Sequence, residues 1–238
     1  MKRVILIDIG THKAQEVRLL KDSSFLFRIE IMYKLFKSNK RSISKTIDDY
    51  SNIILMKEKL KNIEFVFCFV EPVFYFKTAK FLRQAGNFVY LNGVCSALPS
   101  GAVKLLLAKD NLGNSIIESK PNLTGKHLDT WNYNFQELLD WCNANLRQSD
   151  DDLLVLRMNA EGVEKDIVEY LHHAGVVRHR VRALYGSLGD IRKCFGEEAA
   201  QKSISLLAET GIPYVYFTSS PKSWRGALKE FCDLCGVA

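Results

Sequence analysis

The sequence has no apolar run approaching ~18 residues, which excludes an ordinary membrane-spanning helix. Lys2-Arg3 ahead of Val4-Ile5-Leu6-Ile7 imitates the start of a secretory signal. That run is short, and Asp8 and Gly10 interrupt it, so no export signal is expected. No repeat and no low-complexity tract is present. The Gly-Lys-Ser/Thr phosphate loop is missing, which argues against an ATPase or kinase of that type. A Gly-x-Gly-x-x-Gly turn is missing too. Of the six cysteines, only Cys232 and Cys235 form a Cys-x-x-Cys pair. No second pair or His-x-x-x-His accompanies them, and Leu228 and Phe231 beside them fit a packed helix better than zinc. No metal centre is expected. Without an export signal the cysteines should stay reduced in a cytoplasm, which is the expected location.

The chain is 238 residues long and 47% hydrophobic, the size and core content of one α/β domain spanning 1–238. Its net charge of +6 permits an anionic partner without demanding one. The positive charge is densest in Lys37-Ser38-Asn39-Lys40-Arg41-Ser42-Ile43-Ser44-Lys45. That stretch reads as an exposed basic insertion around 37–50, set after the first strand.

Strands alternate with helices along the chain. Val4 to Ile9 is a short, β-branched apolar run, the signature of a parallel strand buried on both faces. Glu64 to Val70, Phe88 to Val94, Asp152 to Asn159, Arg180 to Tyr185 and Ile212 to Phe217 read as further strands. Residues 102–108 and 113–118 read as an antiparallel pair around Asp110-Asn111-Leu112-Gly113. Helical patterns cover 13–37 with a break at Asp22-Ser23-Ser24, then 52–61, 74–85, 134–146, 164–173, 189–209 and 221–234. The expected fold is α/β, a doubly wound and mostly parallel sheet.

In such a sheet the carboxyl ends of the strands face one crevice, where a helix N-terminus offers free N–H groups. Here those ends carry Asp8, Glu71, Asn92, and Asn159 with Glu161. An acid at the end of the second strand suits the paired hydroxyls of a ribose. The turn Gly10-Thr11-His12-Lys13-Ala14 has one glycine, and Glu71 stands far beyond the ~20 residues that a dinucleotide fingerprint expects, so NAD fits poorly.

Asp8-Ile9-Gly10-Thr11-His12-Lys13-Ala14-Gln15 resembles the Asp-Val-Gly-Ala-Asn-x-Gly-x opening of the FkbM-type methyltransferases. Val70-Glu71-Pro72 is similar to their Val-Glu-Pro. Arg157-Met158-Asn159-Ala160-Glu161-Gly162-Val163-Glu164 is similar to their Lys-x-Asp-x-Glu-Gly-x-Glu. Order and spacing agree over residues 4–185. His12, Ala14 and Asn159 depart from the family's Asn, Gly and Asp. The resemblance implies a class I, Rossmann-like, S-adenosylmethionine-dependent fold and O-methylation, often of a sugar hydroxyl. By motif position Asp8, Gly10, Thr11 and His12 would line the methionine end of the cofactor. Glu71 with Pro72 would take the ribose, Asn92 the adenine edge, and Asn159 the fourth-strand end of the same pocket.

A hydroxyl acceptor calls for a base. Glu161 is the first candidate and His12 the second. The alternatives are that Glu161 caps the next helix and that His12 only shapes the turn. The expected partner is a small-molecule or glycan acceptor, with no membrane. A nucleic-acid acceptor on the basic surface and a non-catalytic cofactor-binding or scaffold protein are the competing expectations. His172-His173 reads as a helix-end pair rather than a metal site, and Trp141 as core.

Overall fold

A computed structural model describes residues 2–10, 15–73, 76–109, 113–174, 180–218 and 220–237, without the side chains of 15, 16, 76–78, 80, 81 and 222. The chain is an α/β protein built on a six-stranded, wholly parallel sheet with helices on both faces. Its strands are β1 (Arg3–Ile9), β2 (Glu64–Val70), β3 (Asn87–Leu91), β7 (Leu153–Met158), β8 (Val181–Gly186) and β9 (Tyr214–Tyr216). They lie in the order β3-β2-β1-β7-β8-β9, the doubly wound Rossmann-like arrangement. The order reverses between β1 and β7, and sheets of this kind bind ligands outside the carboxyl ends of the strands at such a reversal.

Both faces of β1 are covered, which is why its sequence is a continuous apolar run. Val4 and Leu6 join one core with helices α1 (Gln15–Lys21), α2 (Phe25–Ser38), α3 (Ile43–Lys59), α4 (Phe76–Ala85) and α8 (Pro221–Cys235). Ile5, Ile7 and Ile9 join a second core with α5 (Phe135–Asn145), α6 (Glu164–His173) and α7 (Gly189–Thr210). On the first face β2 contributes a ladder of rings, Phe65 to Phe67 at 5.9 Å and Phe67 to Phe69 at 5.5 Å between centroids. Full burial of each such ring stabilises the sheet by about 2–3 kcal/mol.

Three expectations about the elements change. The segment 37–50, expected as an exposed basic insertion, is only a four-residue turn, after which α3 runs from Ile43. Few of α3's residues are buried, so its early turns carry little apolar periodicity. Residues 113–118 are not a strand. Strand β5 (Gly101–Ala108) pairs instead with β6 (Leu123–Asn134), and the earlier segment contributes only the bridge of Leu106 with Ser115. The single strand expected over 88–94 is two: β3 in the main sheet and β4 (Val94–Ser96) in a three-stranded sheet β4-β6-β5.

The helix break at 22–24 is present. Asp22 accepts the Ser24 N–H and Ser24 caps α2 by accepting from Phe27 N, two ways of satisfying orphan donors. No described helix is long and apolar enough to cross a membrane. Cys232 and Cys235 are free and buried on α8. Trp141, expected in the core, is exposed on α5, and it is Trp224 that is buried.

Candidate functional site

The site grows from the first strand's end. Gly10 takes φ +76°, and a Cβ there would lie 2.0 Å from the Asn159 carbonyl oxygen. Only glycine lets the β1 turn pass that close to the end of β7. Gly10 N donates to Val70 O at 2.9 Å, and Asn159 N donates to Ile9 O at 2.9 Å. The ends of β1, β2 and β7 are thereby fastened into one rim. Thr11, His12, Lys13 and Ala14, which include the expected turn residues and the second base candidate, lie outside the described residues.

Glu71 follows β2 on this rim and is largely buried. Its Oε1 accepts from Val73 N at 3.1 Å, which holds the Pro72 turn. Its backbone N–H donates to Leu91 O at 3.2 Å, and the Tyr90 hydroxyl donates to its carbonyl at 3.1 Å. A carboxylate has about four acceptor positions, the number that lets one acid serve a turn and a ribose together. Asn92, beyond β3, is exposed, and Asn159 is half-buried at the end of β7.

Asp8 has a different place from the one the motif implied. Side chains alternate across a strand, so Asp8 points with Val4 and Leu6 toward the α1–α4 and α8 face. It is fully buried, and its Oδ1 accepts from Arg157 Nη1 at 2.8 Å. The same Nη1 donates to Gly10 O at 2.9 Å. Arg157 is Asp8's register partner on β7, so the pair staples the switch point from beneath the crevice.

Glu161 adopts φ 60°, rare for a side chain that is neither Gly, Asn nor Asp. Its carboxylate is paired with the Lys120 ammonium, and its carbonyl accepts from Ser115 Oγ at 2.7 Å. Burial pushes the Glu161 carboxyl up, while Lys120 pulls it down. Three residues on, Glu164 is fully buried and clamps the loop from inside. Its Oε1 accepts from Ala160 N at 2.5 Å and Glu161 N at 3.1 Å, and its Oε2 accepts from Gly162 N at 2.6 Å. Burial drives its pKa up to about 7 against those donors, and the Asp190 charge adds to the rise. The helix-capping role expected as the alternative for Glu161 falls to Glu164, which satisfies these N–H groups. An acid in the first turn of a helix after a glycine loop is the signal that marks it.

Lys120 has no signal of its own in the sequence, and Ser115 is read there only as part of Asn114-Ser115-Ile116, a small-residue turn of the family resemblance, and of the expected 113–118 strand. They belong to the stretch between β5 and β6 that packs on the 160–162 loop, and nothing local in the chain announces the pairing. The two histidines sit at the end of α6: His172 Nε2 lies 2.7 Å from Glu209 Oε2, and His173 Nδ1 lies 2.6 Å from Glu169 O. Among the described residues no three His, Cys, Asp or Glu side chains gather in a way that could hold a metal ion.

Comparison with protein-family models, with curated proteins and with solved structures returns no match for this chain.

Proposed function

We propose that the protein is an S-adenosylmethionine-dependent O-methyltransferase acting on a sugar or other small-molecule hydroxyl, of the FkbM type its motifs resemble. The observation that carries this is the rim. Gly10, with a single-glycine turn, is hydrogen-bonded to the strand that ends in Glu71, at the switch point of a Rossmann-like sheet. That pairing suits a nucleoside with a ribose and lacks the glycines that a pyrophosphate demands.

S-adenosylmethionine, when bound, supplies a methyl group already activated for transfer. The chain's own part is positioning and proton handling. Gly10 lets the backbone approach closely, Glu71 accepts from the ribose hydroxyls, and Asn92 meets the base edge. Asp8 does not fit as a direct ligand; it holds Arg157 and, through it, the Gly10 carbonyl.

Glu161 is the base in this reading. Burial raises its carboxyl toward greater basicity, and Glu164 fixes the backbone that presents it. One observation favours a second reading, a protein that binds the cofactor without transferring its methyl: Lys120 already engages the Glu161 carboxylate. Glu161→Gln separates the two. For a transferase it lowers turnover on hydroxyl acceptors by about 100-fold or more, with cofactor affinity within about twofold. Unchanged turnover and acceptor binding would remove Glu161 from the base role. Cofactor binding with no methyl transfer to any acceptor by the unaltered protein would leave the second reading.

A further inference from the structure

Helix α2 has two apolar faces. Phe27, Ile31 and Leu35 are buried in the core, while Phe25, Leu26, Ile29, Met32 and Tyr33 stand between 44% and 77% exposed. The exposed five recur at helical spacing and form one stripe about two turns long. A helix apolar nearly all round is normally covered on every side, and apolar patches of this kind mark interaction surfaces. The charges around the stripe are mostly of one sign. At its start a cleft of about 240 Å³ is lined by Lys21, Arg28, Lys57 and Lys61 together with Ser23, against the single acid Glu58. At its end stand the exposed Lys37, Lys40, Arg41 and Lys45. Lys40 and Arg41 are both held at positive φ, 52° and 65°, a strained turn that projects two adjacent cations. The one acid within α2, Glu30, is already bonded to Arg18 and Lys34.

We infer that α2 and the cation cleft at its start form a docking surface for an anionic phospholipid bilayer, with the apolar stripe entering the interface and the cleft receiving a lipid phosphate. The contact lies along the surface and requires no spanning helix. It is separate from the crevice. Lys57 and Lys61 precede β2, and Lys21 sits 5.0 Å over the Phe65 ring at the start of that strand, so the cleft is at the amino ends of the strands.

Charge decides between occupants. A second copy packed through the same two-fold face would bring like cations together, whereas an anionic bilayer answers both the cations and the stripe between them. A nucleic acid would answer the cations but leave Leu26, Ile29 and Met32 against a polyanion. Lys57 is satisfied in the fold, donating to Leu19 O and, at 3.4 Å, to Arg18 O, so it shapes the cleft floor. Lys61 and Arg28 are more open and each lies 3.9 Å from a Glu58 carboxylate oxygen, the anion that a lipid phosphate displaces.

The test is co-sedimentation of the full chain with vesicles of neutral phosphatidylcholine and of phosphatidylcholine mixed with phosphatidylserine. The variants are Leu26→Glu, Ile29→Glu and Lys61→Glu, with folding checked by urea midpoint. Binding is expected on anionic vesicles and at least tenfold weaker on neutral ones. Leu26→Glu and Ile29→Glu should each weaken it about tenfold or more at unchanged midpoint, and Lys61→Glu severalfold. High salt should weaken binding in every case. No binding to anionic vesicles overturns the inference, as does binding unaffected by the two stripe variants. A dimer without lipid that Leu26→Glu dissolves assigns the face to a second copy. RNA binding lost in Lys61→Glu but intact in Leu26→Glu, without vesicle binding, assigns the surface to nucleic acid.

Discussion

Replacing Asp8 by Ala should cost stability before it costs anything else. The side chain is fully buried and bonded to Arg157 at 2.8 Å, and Arg157 is itself largely buried. Removing one member of a buried charge pair typically costs about 3–5 kcal/mol. With a urea slope near 3 kcal/mol per molar for a chain of this size, the unfolding midpoint should fall by about 1–2 M. Arg157→Met should cost a similar amount, since it also releases the Gly10 carbonyl, bonded at 2.9 Å. The double variant Asp8→Leu with Arg157→Met buries no lone charge. It loses the bond to Gly10, about 1–1.5 kcal/mol, and should be more stable than either single variant. Equilibrium urea unfolding of the four proteins closes the cycle. If Asp8→Ala abolished cofactor binding with an unchanged midpoint, Asp8 would be a ligand and the staple argument would fail.

Two further predictions concern the same rim. Gly10→Ala meets both the left-handed backbone and an overlap with Asn159 O, whereas Gly86→Ala, at φ +74°, meets nothing within 4 Å. Gly86→Ala should therefore cost about 1–2 kcal/mol and Gly10→Ala clearly more, read as the difference in thermal or urea unfolding; equal costs would deny the close approach of the β1 and β7 ends. Glu164 has its folded pKa raised from 4.5 to about 7, so its contribution is fully present below pH 4.5 and is lost as pH rises through 7. Unfolding free energy should fall across that window by on the order of 3 kcal/mol relative to Glu164→Gln, which cannot ionise, and a pH-independent difference between the two would show that the acid is ionised throughout.

The central sheet was legible because its strands are buried on both faces. That condition writes itself into the chain as the unbroken runs of β1, β2 and β7. Strand β6 was not legible. Most of its residues, among them Lys126, His127 and Asp129, are exposed, so no alternation of apolar and polar side chains marks it. The start of α3 hid for a related reason, since only Thr46 and Ile53 of its residues are buried. At the site, the positions of Gly10, Glu71 and Glu161 followed from where strands end. Their partners did not. Arg157 reaches Asp8 across 149 residues of sequence, and Lys120 reaches Glu161 across 41, contacts that register and packing create and no local pattern records.

The account rests on the rim being a cofactor site, and calorimetric titration with S-adenosylmethionine tests that most directly. The unaltered protein should bind in the micromolar range, about 8 kcal/mol. Glu71→Gln keeps an oxygen for the Val73 N–H, so its urea midpoint should hold while its affinity falls at least tenfold. Saturable binding lost in this way is the predicted result. No heat at millimolar cofactor, or binding indifferent to Glu71→Gln, would contradict the assignment.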